Sequence, residues 1–166
     1  MGFKVNRTKA IIWTNTTIKS ICYGCFHWFV YDSIFLSYRK LLVACDNRQI
    51  SCYDLYSLPT AIFTRDSILK YSIRCIHFLS DNNGYIVGSI EGRVGVEYIT
   101  ETETCKPFSF RCHRKSDTYN EYVYPVNAIA VHPQYGTFAT GGADGTVCIW
   151  DSVAKKRLAI FSKYEY

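Results

Sequence analysis

Four residues in the last third of the chain, His113, Thr140, Asp144 and Trp150, have the types needed either for catalysis or for a buried hydrogen-bond brace. A histidine between a carboxylate and a hydroxyl is the arrangement of a hydrolase, in which the imidazole takes the hydroxyl proton. Such a site needs an exposed hydroxyl, whereas Thr140 lies inside the apolar stretch FATGG with no GxSxG turn nearby. A buried aspartate and histidine also need partners, because unpaired polar groups in a core are costly. We therefore predict a structural brace, with hydrolysis as the alternative.

One pair of cysteines, Cys22 and Cys25, has the CxxC spacing of a metal site and is followed by His27. A structural zinc site needs a second ligand pair at similar spacing, and the sequence shows none. Several of the eight cysteines lie inside apolar runs such as LLVAC and TVCIW, as buried thiols do in a reducing compartment. We therefore predict no metal and no cofactor.

Short apolar runs separated by turns must position the brace residues, and they read as β-strands. VNAIAVH, TFATGG, TVCIWD and RLAIFS follow one another between residues 126 and 162. Ala143-Asp144-Gly145 predicts a tight hairpin between the second and third of them. The same order recurs upstream as RCIHFL, YIVGSI, RVGVEYI and PFSFRCH, and before that from FVYDSIFL through LLVAC and QISCYDL to TAIF.

These strands form three repeats that can be aligned on their hairpin turns. The matched residues are Asn47, Glu91 and Asp144 in the turns and, six residues later, Tyr53, Glu97 and Trp150. A period of about 40 to 50 residues is typical of β-propeller blades. A β-sandwich is the alternative all-β architecture, but it does not explain the shared spacing.

The repeats predict an all-β fold, a partial β-propeller of about three blades. The blades are expected at residues 29–64, 73–113 and 123–162. Residues 1–28 form a divergent segment in which AIIWTN and TIKSIC are candidate strands of a preceding blade. The chain has 166 residues, which is enough for a substantial core.

The composition bears on location and partners. The apolar stretch from Ile21 to Leu36 is too short to span a bilayer and contains His27 and Asp32, so no membrane segment is predicted. This and the cysteine usage favour the nucleus or the cytoplasm. The formal net charge is +5, and no RNA-binding motif is present, so we expect no direct contact with nucleic acid.

The predicted propeller places basic residues on one rim, because the hairpin turns and the loops before the first strands lie on the same side. Arginine there suits carboxylates and phosphates, which it binds with two parallel hydrogen bonds. Arg93 is the first choice, since the polar turn EGR is expected to point outward, with Glu91 as the main acid. The predicted peptide-binding residues are Arg93, Lys70, Arg74, Tyr71, Arg48 and Arg114, with Lys115 beside them. The alternative is a solvated basic rim with no specific role.

Longer stretches resemble a known family. SIEGRVGVEY, FSFRCHR, YPVNAIAVHP, YGTFATGGADGTVCIWD and KKRL are similar to the WD-repeat proteins of the mitotic spindle checkpoint, the Bub family. The mRNA-export propeller of the nuclear pore shares the EGRV and CHR elements. Within a WD repeat, the positions of His113, Thr140, Asp144 and Trp150 are those of the family's internal brace.

The resemblance implies a non-enzymatic adaptor. Members bind a motif called GLEBS, found in checkpoint kinases for the Bub family and in a nucleoporin for the export relative. The checkpoint family also reads a phosphorylated kinetochore scaffold motif. The implied location is the nucleus and the kinetochore, with the cytoplasm as the alternative.

The chain also departs from the family, whose members have seven blades. Three blades are expected here, and residues 1–28 match poorly. A shortened paralogue, an incomplete gene model and a fragment all remain open, and one alternative is a truncated paralogue without function. An open stack would leave two unpaired strand edges.

Overall fold

The computed structural model describes residues 2–6, 9–13, 18–21, 30–36, 39–45, 47–58, 60–100, 102–103 and 105–162, with side chains from residue 39 onward. The described residues are all-β and form five antiparallel sheets. The strands are β1 (Gly2–Asn6), β2 (Lys9–Trp13), β3 (Ile18–Ile21), β4 (Val30–Leu36), β5 (Lys40–Cys45), β6 (Gln49–Asp54), β7 (Ala61–Asp66), β8 (Ile73–Phe78), β9 (Gly84–Ser89), β10 (Arg93–Tyr98), β11 (Phe108–Arg111), β12 (Arg114–Ser116), β13 (Glu121–Val123), β14 (Val126–Val131), β15 (Thr137–Gly142), β16 (Val147–Asp151) and β17 (Lys156–Phe161).

Three of the sheets are four-stranded meanders with the strands in chain order. We call them blade 1 (β4 to β7), blade 2 (β8 to β11) and blade 3 (β14 to β17). The first strand of blade 2, β8, packs against the first strands of both neighbours, β4 and β14. The sheets therefore stack radially around their first strands, which confirms the predicted partial propeller.

Two smaller sheets accompany the blades. Strands β1 to β3 form a three-stranded sheet within the segment 1–28, and β12 and β13 form a hairpin between blades 2 and 3. Blade 1 ends at Asp66, two residues beyond the predicted 64, and the predicted start of blade 3 at 123 falls on the last residue of the hairpin. Among the described residues, no helix is long and apolar enough to cross a membrane.

The blades are held together by apolar cores at their junctions. Between blades 1 and 2, Leu42 and Ile50 pack against Ile73, Ile76 and Tyr85, all at most 3% exposed. Each such side chain contributes about 1.5–3 kcal/mol when it is removed from water. Strands β5 and β6 are buried from their second residue onward, so the two middle strands of blade 1 are covered on both faces.

The second junction has a core of its own. Val94 and Val96 of blade 2 pack with Val126, Phe138 and Trp150 of blade 3. Burial alternates along β15 and β16, so blade 3 is buried on the face toward blade 2 and more open on the other. Exposed apolar residues of blade 3 include Val147, Leu158, Ile160 and Phe161.

Each blade begins with the same irregularity. The pairing of the first and second strands shifts between Val30 and Asp32, between Ile73 and Cys75, and between Val126 and Ala128. The extra residue of such a bulge is left unpaired, and its side chain is re-aimed. In blade 2 this residue is Arg74, one of the predicted site residues, and its side chain is exposed.

The hairpin turns and the inter-blade loops meet on one side of the molecule, which we call the upper rim. The amide of Cys112 donates to the carbonyl of Gly92, and the amide of Ile90 donates to Ser72. Gly92 has φ of 62°, and a Cβ there would lie 2.6 Å from the Cys112 carbonyl oxygen, so only glycine fits without strain. His113, which follows Cys112, lies 3.0 Å from Asp144, so the Glu91 and Asp144 turns lie on the same rim.

Candidate functional site

The brace residues form one continuous hydrogen-bond chain at the junction of blades 2 and 3. The Trp150 indole N–H donates to Thr140 Oγ1 over 2.9 Å, and Thr140 lies 2.9 Å from His113 Nε2. Because the Asp144 carboxylate can only accept, Nδ1–H donates to Asp144 Oδ1 at 3.0 Å, and this tautomer leaves Nε2 to accept from the Thr140 hydroxyl. A Cβ on Gly142 would overlap the His113 ring, which explains the glycine beside it.

The environment of Thr140 contradicts the hydrolysis hypothesis. Thr140 is 0% exposed, and its hydroxyl is shared between the indole and the imidazole. A nucleophile needs access to a substrate carbonyl. His113, Asp144 and Thr140 therefore do not form a hydrolytic site.

The carboxyl of Asp144 is held in its charged form. Burial alone would raise its pKa, but hydrogen bonds from the Thr146 amide and hydroxyl and from the His113 imidazole outweigh burial and lower the pKa below the usual range. Thr146 was not predicted. Its position directly after the Asp-Gly turn was the available signal, because an aspartate often accepts from the backbone two residues later.

A second buried network closes the junction of blades 1 and 2, and its centre was also missed. Glu97 occupies the position that corresponds to Trp150, and it is only 3% exposed. One carboxylate oxygen accepts from the Ser67 hydroxyl at 2.5 Å and from the Ile68 amide at 3.2 Å. The other accepts from the Tyr85 hydroxyl at 3.1 Å. A carboxylate in the middle of a buried strand signals such a network, because it must find donors.

Arg65 extends this network outward from blade 1. Its Nε donates to the Tyr85 hydroxyl at 2.8 Å, and Nη2 donates to the Tyr98 carbonyl at 2.6 Å. The guanidinium also stacks 4.6 Å from the Phe63 ring centre. Burial and the neighbouring Glu97 carboxylate raise the pKa of Tyr85, so its hydroxyl stays a donor.

On the upper rim, Arg93 and Arg114 gather around Glu91. Arg93 Nε lies 3.4 Å from a Glu91 carboxylate oxygen, and Arg114 donates to the Glu91 carbonyl at 2.9 Å. Arg114 also pairs with Glu121 at 3.2 Å. The side chains of Arg93 and Arg114 are 30% and 15% exposed, so the EGR turn is less outward-facing than the sequence suggested, and Glu121 adds an acid that was not counted.

The remaining predicted site residues are more open. Lys70, Tyr71 and Arg74 are exposed, and within the described residues none of their side chains has a hydrogen bond or an ion pair. Lys115 is exposed too, with its ammonium 5.8 Å from the Tyr124 ring centre.

Arg48 has an intermediate position. It has positive φ in the β5–β6 turn, its guanidinium points to the Leu69 carbonyl at 3.4 Å, and it lies 3.9 Å from Asp66.

A cavity of about 320 Å³ opens at the opposite end of blades 2 and 3. It is lined by connections at the other ends of the strands, with Asp81, Tyr98, Cys105 and Lys155 among the lining residues. None of the predicted site residues lines it.

The prediction that the chain has no metal site can be compared with the structure only for the described residues. No cluster of three or more histidine, cysteine, aspartate or glutamate side chains suited to a metal ion occurs within the described residues. Cys22, Cys25 and His27 lie outside those residues.

Comparison with known proteins bears on the fold and the family. Residues 109–151 match the family model described as "WD domain, G-beta repeat". The solved WD40 repeats of RRP9 match with a TM-score of 0.67 and 11% identity, covering 82% of this chain and 39% of that chain. The structure of U3-55K gives a TM-score of 0.68 at 11% identity, covering 84% and 41%. At this identity, the likeness shows the fold alone.

Similarity to curated proteins is closer in sequence. Mitotic checkpoint protein BUB3.1 of Arabidopsis thaliana is 47% identical over 128 residues, which cover 76% of this chain and 38% of the relative. Mitotic checkpoint protein bub-3 of Caenorhabditis elegans is 45% identical over 131 residues, covering 76% and 38%. The mRNA export factor rae-1 of the same nematode is 39% identical over 128 residues, covering 73% and 34%. The chain thus spans about 38% of the first two relatives' length.

These similarities confirm the resemblance that the EGRV and CHR stretches indicated. The chain is therefore a WD-repeat protein with a partial β-propeller fold, similar in sequence to the Bub3 mitotic checkpoint proteins and, next to them, to mRNA export factors of the Rae1 type.

Proposed function

We propose that the chain is a non-enzymatic WD-repeat adaptor that binds acidic or phosphorylated peptide motifs in mitotic checkpoint signalling, in the nucleus and at kinetochores. The observation that carries the proposal is the set of exposed cations on the upper rim, Lys70, Arg74 and Lys115, on a chain 47% identical to a mitotic checkpoint protein.

The arrangement of charges on the upper rim favours binding of a peptide ligand over the alternative of a solvated basic surface with no specific role. Arg93 and Arg114 are held in place by Glu91, so less side-chain entropy is lost when a carboxylate or phosphate approaches. Lys70 and Arg74 are exposed cations beside them on the same rim, and they attract an acidic segment at longer range. Tyr71 is 53% exposed and offers a flat apolar surface next to Lys70.

The proposed partners follow from the resemblance: a GLEBS-type motif of a checkpoint kinase, and a phosphorylated motif of a kinetochore scaffold. A second candidate is an export factor at the nuclear pore that binds a nucleoporin, which the 39% identity to the mRNA export factor rae-1 favours. Competition between a kinase-derived and a nucleoporin-derived GLEBS peptide for the chain separates the two.

The adaptor proposal is tested by titrating the 166-residue chain with a fluorescent GLEBS-type peptide at about 50 mM and about 300 mM salt. We expect affinity to fall with salt, because exposed charge pairs are screened over about 10 Å at 0.1 M. Lys70→Glu and Arg93→Glu are each expected to weaken binding by about tenfold, or about 1.4 kcal/mol.

The matched control is Lys156→Glu. Lys156 is the first residue of β17, it is exposed, and it lies opposite Asp151 in the register of β16 and β17. This position is at the end of blade 3 that is opposite the Asp144 turn. This variant has the same change in net charge, and we expect it to bind nearly as the parent does. Absence of binding at both salt concentrations, or equal losses of affinity in all three variants, would reject the proposed function.

A further inference from the structure

The hairpin of β12 and β13 belongs to neither neighbouring blade. It pairs only with itself, between blades 2 and 3, and five of its six strand residues are exposed. Tyr119 at its tip is 91% exposed. A two-stranded hairpin is at best marginally stable alone in water, so something outside its own sheet must hold it.

Both ends of the hairpin are anchored by polar contacts. At the tip, Asp117 Oδ1 accepts from the amides of Tyr119 at 2.8 Å and Asn120 at 2.7 Å. At the base, the Tyr124 amide donates to the His113 carbonyl at 3.0 Å. Arg114 then ties the first strand to Glu91 of blade 2. The hairpin is thus a braced arm on the upper rim whose residues contribute little to the core.

The register of the hairpin defines what its edges offer. Arg114 pairs with Val123, Lys115 with Tyr122, and Ser116 with Glu121. Because His113 and Tyr124 form a hydrogen-bonded pair at the base, antiparallel alternation makes 115 and 122 a hydrogen-bonded pair as well, whereas 114 with 123 and 116 with 121 are non-hydrogen-bonded pairs. The backbone groups of residues 114 and 116 therefore point away from β13, and those of 121 and 123 point away from β12.

These outward groups form two open edges. In the part of the chain that the structure describes, no backbone hydrogen bond joins either edge to another strand. Proteins usually cover or blunt such edges, because they are templates for pairing with another strand.

The two edges differ in charge. Arg114 of β12 and Glu121 of β13 pair with each other at 3.2 Å, so their charges offset, and Lys115 of β12 is the hairpin cation that has no ion pair among the described residues. Lys115 is exposed beside the Tyr124 ring. An acidic segment is therefore attracted to the Lys115 ammonium at β12, whereas the β13 strand residues include no cation.

We propose that the β12 edge receives an extended acidic peptide as a third strand, so that the rim binds its ligand by β-augmentation through the outward backbone groups of Arg114 and Ser116. Main-chain hydrogen bonds supply affinity in this mode, and alternate side chains supply specificity. The inference rests on the proposed function, because it names how the acidic peptide is held.

The first experiment uses a labelled eight-residue peptide of alternating glutamate and valine, and two analogues N-methylated at either the odd or the even amides. A strand in register uses only alternate amides on each edge, so one analogue is expected to lose at least about tenfold in affinity and the other to bind nearly as the parent. Equal behaviour of the two analogues would overturn the proposal.

The second experiment uses Ser116→Pro, which removes an outward N–H that the hairpin does not use. Its matched control is Val123→Pro, which removes the equivalent N–H on the opposite edge. We expect Ser116→Pro to weaken binding by about five- to tenfold and Val123→Pro to leave it unchanged. Thermal unfolding of both variants checks that each is folded.

The outcomes separate this inference from the adaptor function. If binding is salt-dependent and is weakened by Lys70→Glu but not by Ser116→Pro, the proposed binding at the β12 edge is overturned, whereas the adaptor function is retained. No binding by the parent chain would overturn both. Sedimentation that shows a dimer abolished by Ser116→Pro would also overturn the proposal, because the edge would then be occupied by a second copy of the chain.

Discussion

The two blade junctions solve the same problem with different chemistry. At the junction of blades 2 and 3, Trp150, Thr140 and His113 lead to a carboxylate at the rim, Asp144. At the junction of blades 1 and 2, the carboxylate is Glu97, which lies inside the junction where Trp150 lies in the other. Each junction thus contains one buried acid with donors on both of its oxygens.

The difference shows that the sequence of one repeat can diverge while the hydrogen-bonded contact between neighbouring blades is kept. In blade 3, Thr140 pairs across the sheet with the residue two positions before Trp150. In blade 2, the residue that pairs with the position two before Glu97 is Val87, so Val87 corresponds to Thr140. A tryptophan in blade 2 would have no hydroxyl acceptor there. Glu97 instead reaches Ser67, which directly follows β7, and the tie between the blades is kept by new partners.

The largest expected effect comes from breaking the aromatic junction. Trp150→Ala removes a side chain that packs 4.5 Å from the Phe110 ring centre and is 8% exposed. We expect the free energy of unfolding to fall by about 3–5 kcal/mol, measured by urea denaturation. Trp150→Phe keeps a ring but loses the N–H, so its loss should be about 1–2 kcal/mol. Similar losses in both variants would mean that the hydrogen bond, rather than packing, dominates this junction.

An intermediate effect is expected at the carboxylate junction. Glu97→Gln keeps the shape but replaces one acceptor oxygen with a donor, so either Tyr85 or Ser67 loses its acceptor. We expect a loss of about 1–3 kcal/mol in the same assay. Tyr85→Phe is the companion variant, because it removes the hydroxyl that bridges Glu97 and Arg65. No loss in either variant would show that the network does not stabilise the junction.

The smallest expected effect is the loss of stability at low pH that arises from Asp144. Because the pKa of Asp144 is lowered by its hydrogen bonds in the folded chain, its contribution to stability is complete above its ordinary pKa of about 3.9 and is lost as pH falls through the lower, folded-state value. The free energy of unfolding should therefore decline on acidification below about pH 4.5. In Asp144→Asn, this decline should be shallower between about pH 4.5 and 2, and an identical slope in both proteins would count against the assignment.

Much of the fold was open to prediction from the sequence because the repeat is long and its turns are distinctive. The Asp144-Gly145 and Glu91-Gly92 turns mark hairpins by local backbone preference, and their shared distance to Trp150 and Glu97 aligns the blades. The hairpin β12–β13 was not predicted, because its strands have three residues each and no apolar alternation.

The binding rim was predicted less completely than the brace. Which cations lie near each other follows from the propeller, but which of them are paired depends on long-range contacts. Glu121 lies 30 residues from Glu91 in the chain, and both contact Arg114. The sequence does not reveal that two glutamates share one arginine, because the long arginine side chain can reach several carboxylates, depending on its rotamer.

The sequence by itself determined the strand order and the repetition of three blades, because these depend on local turn chemistry and on hydrophobic period. The His113, Thr140, Asp144 and Trp150 brace was predicted from the resemblance of the last blade to a WD repeat. The tertiary structure alone decided that Glu97 replaces the tryptophan with a different network, that Arg93 and Arg114 are held by shared acids, and that β12 presents an open edge. These features arise where separate blades and loops meet, and the energy of a buried polar group depends on partners that are distant in the chain.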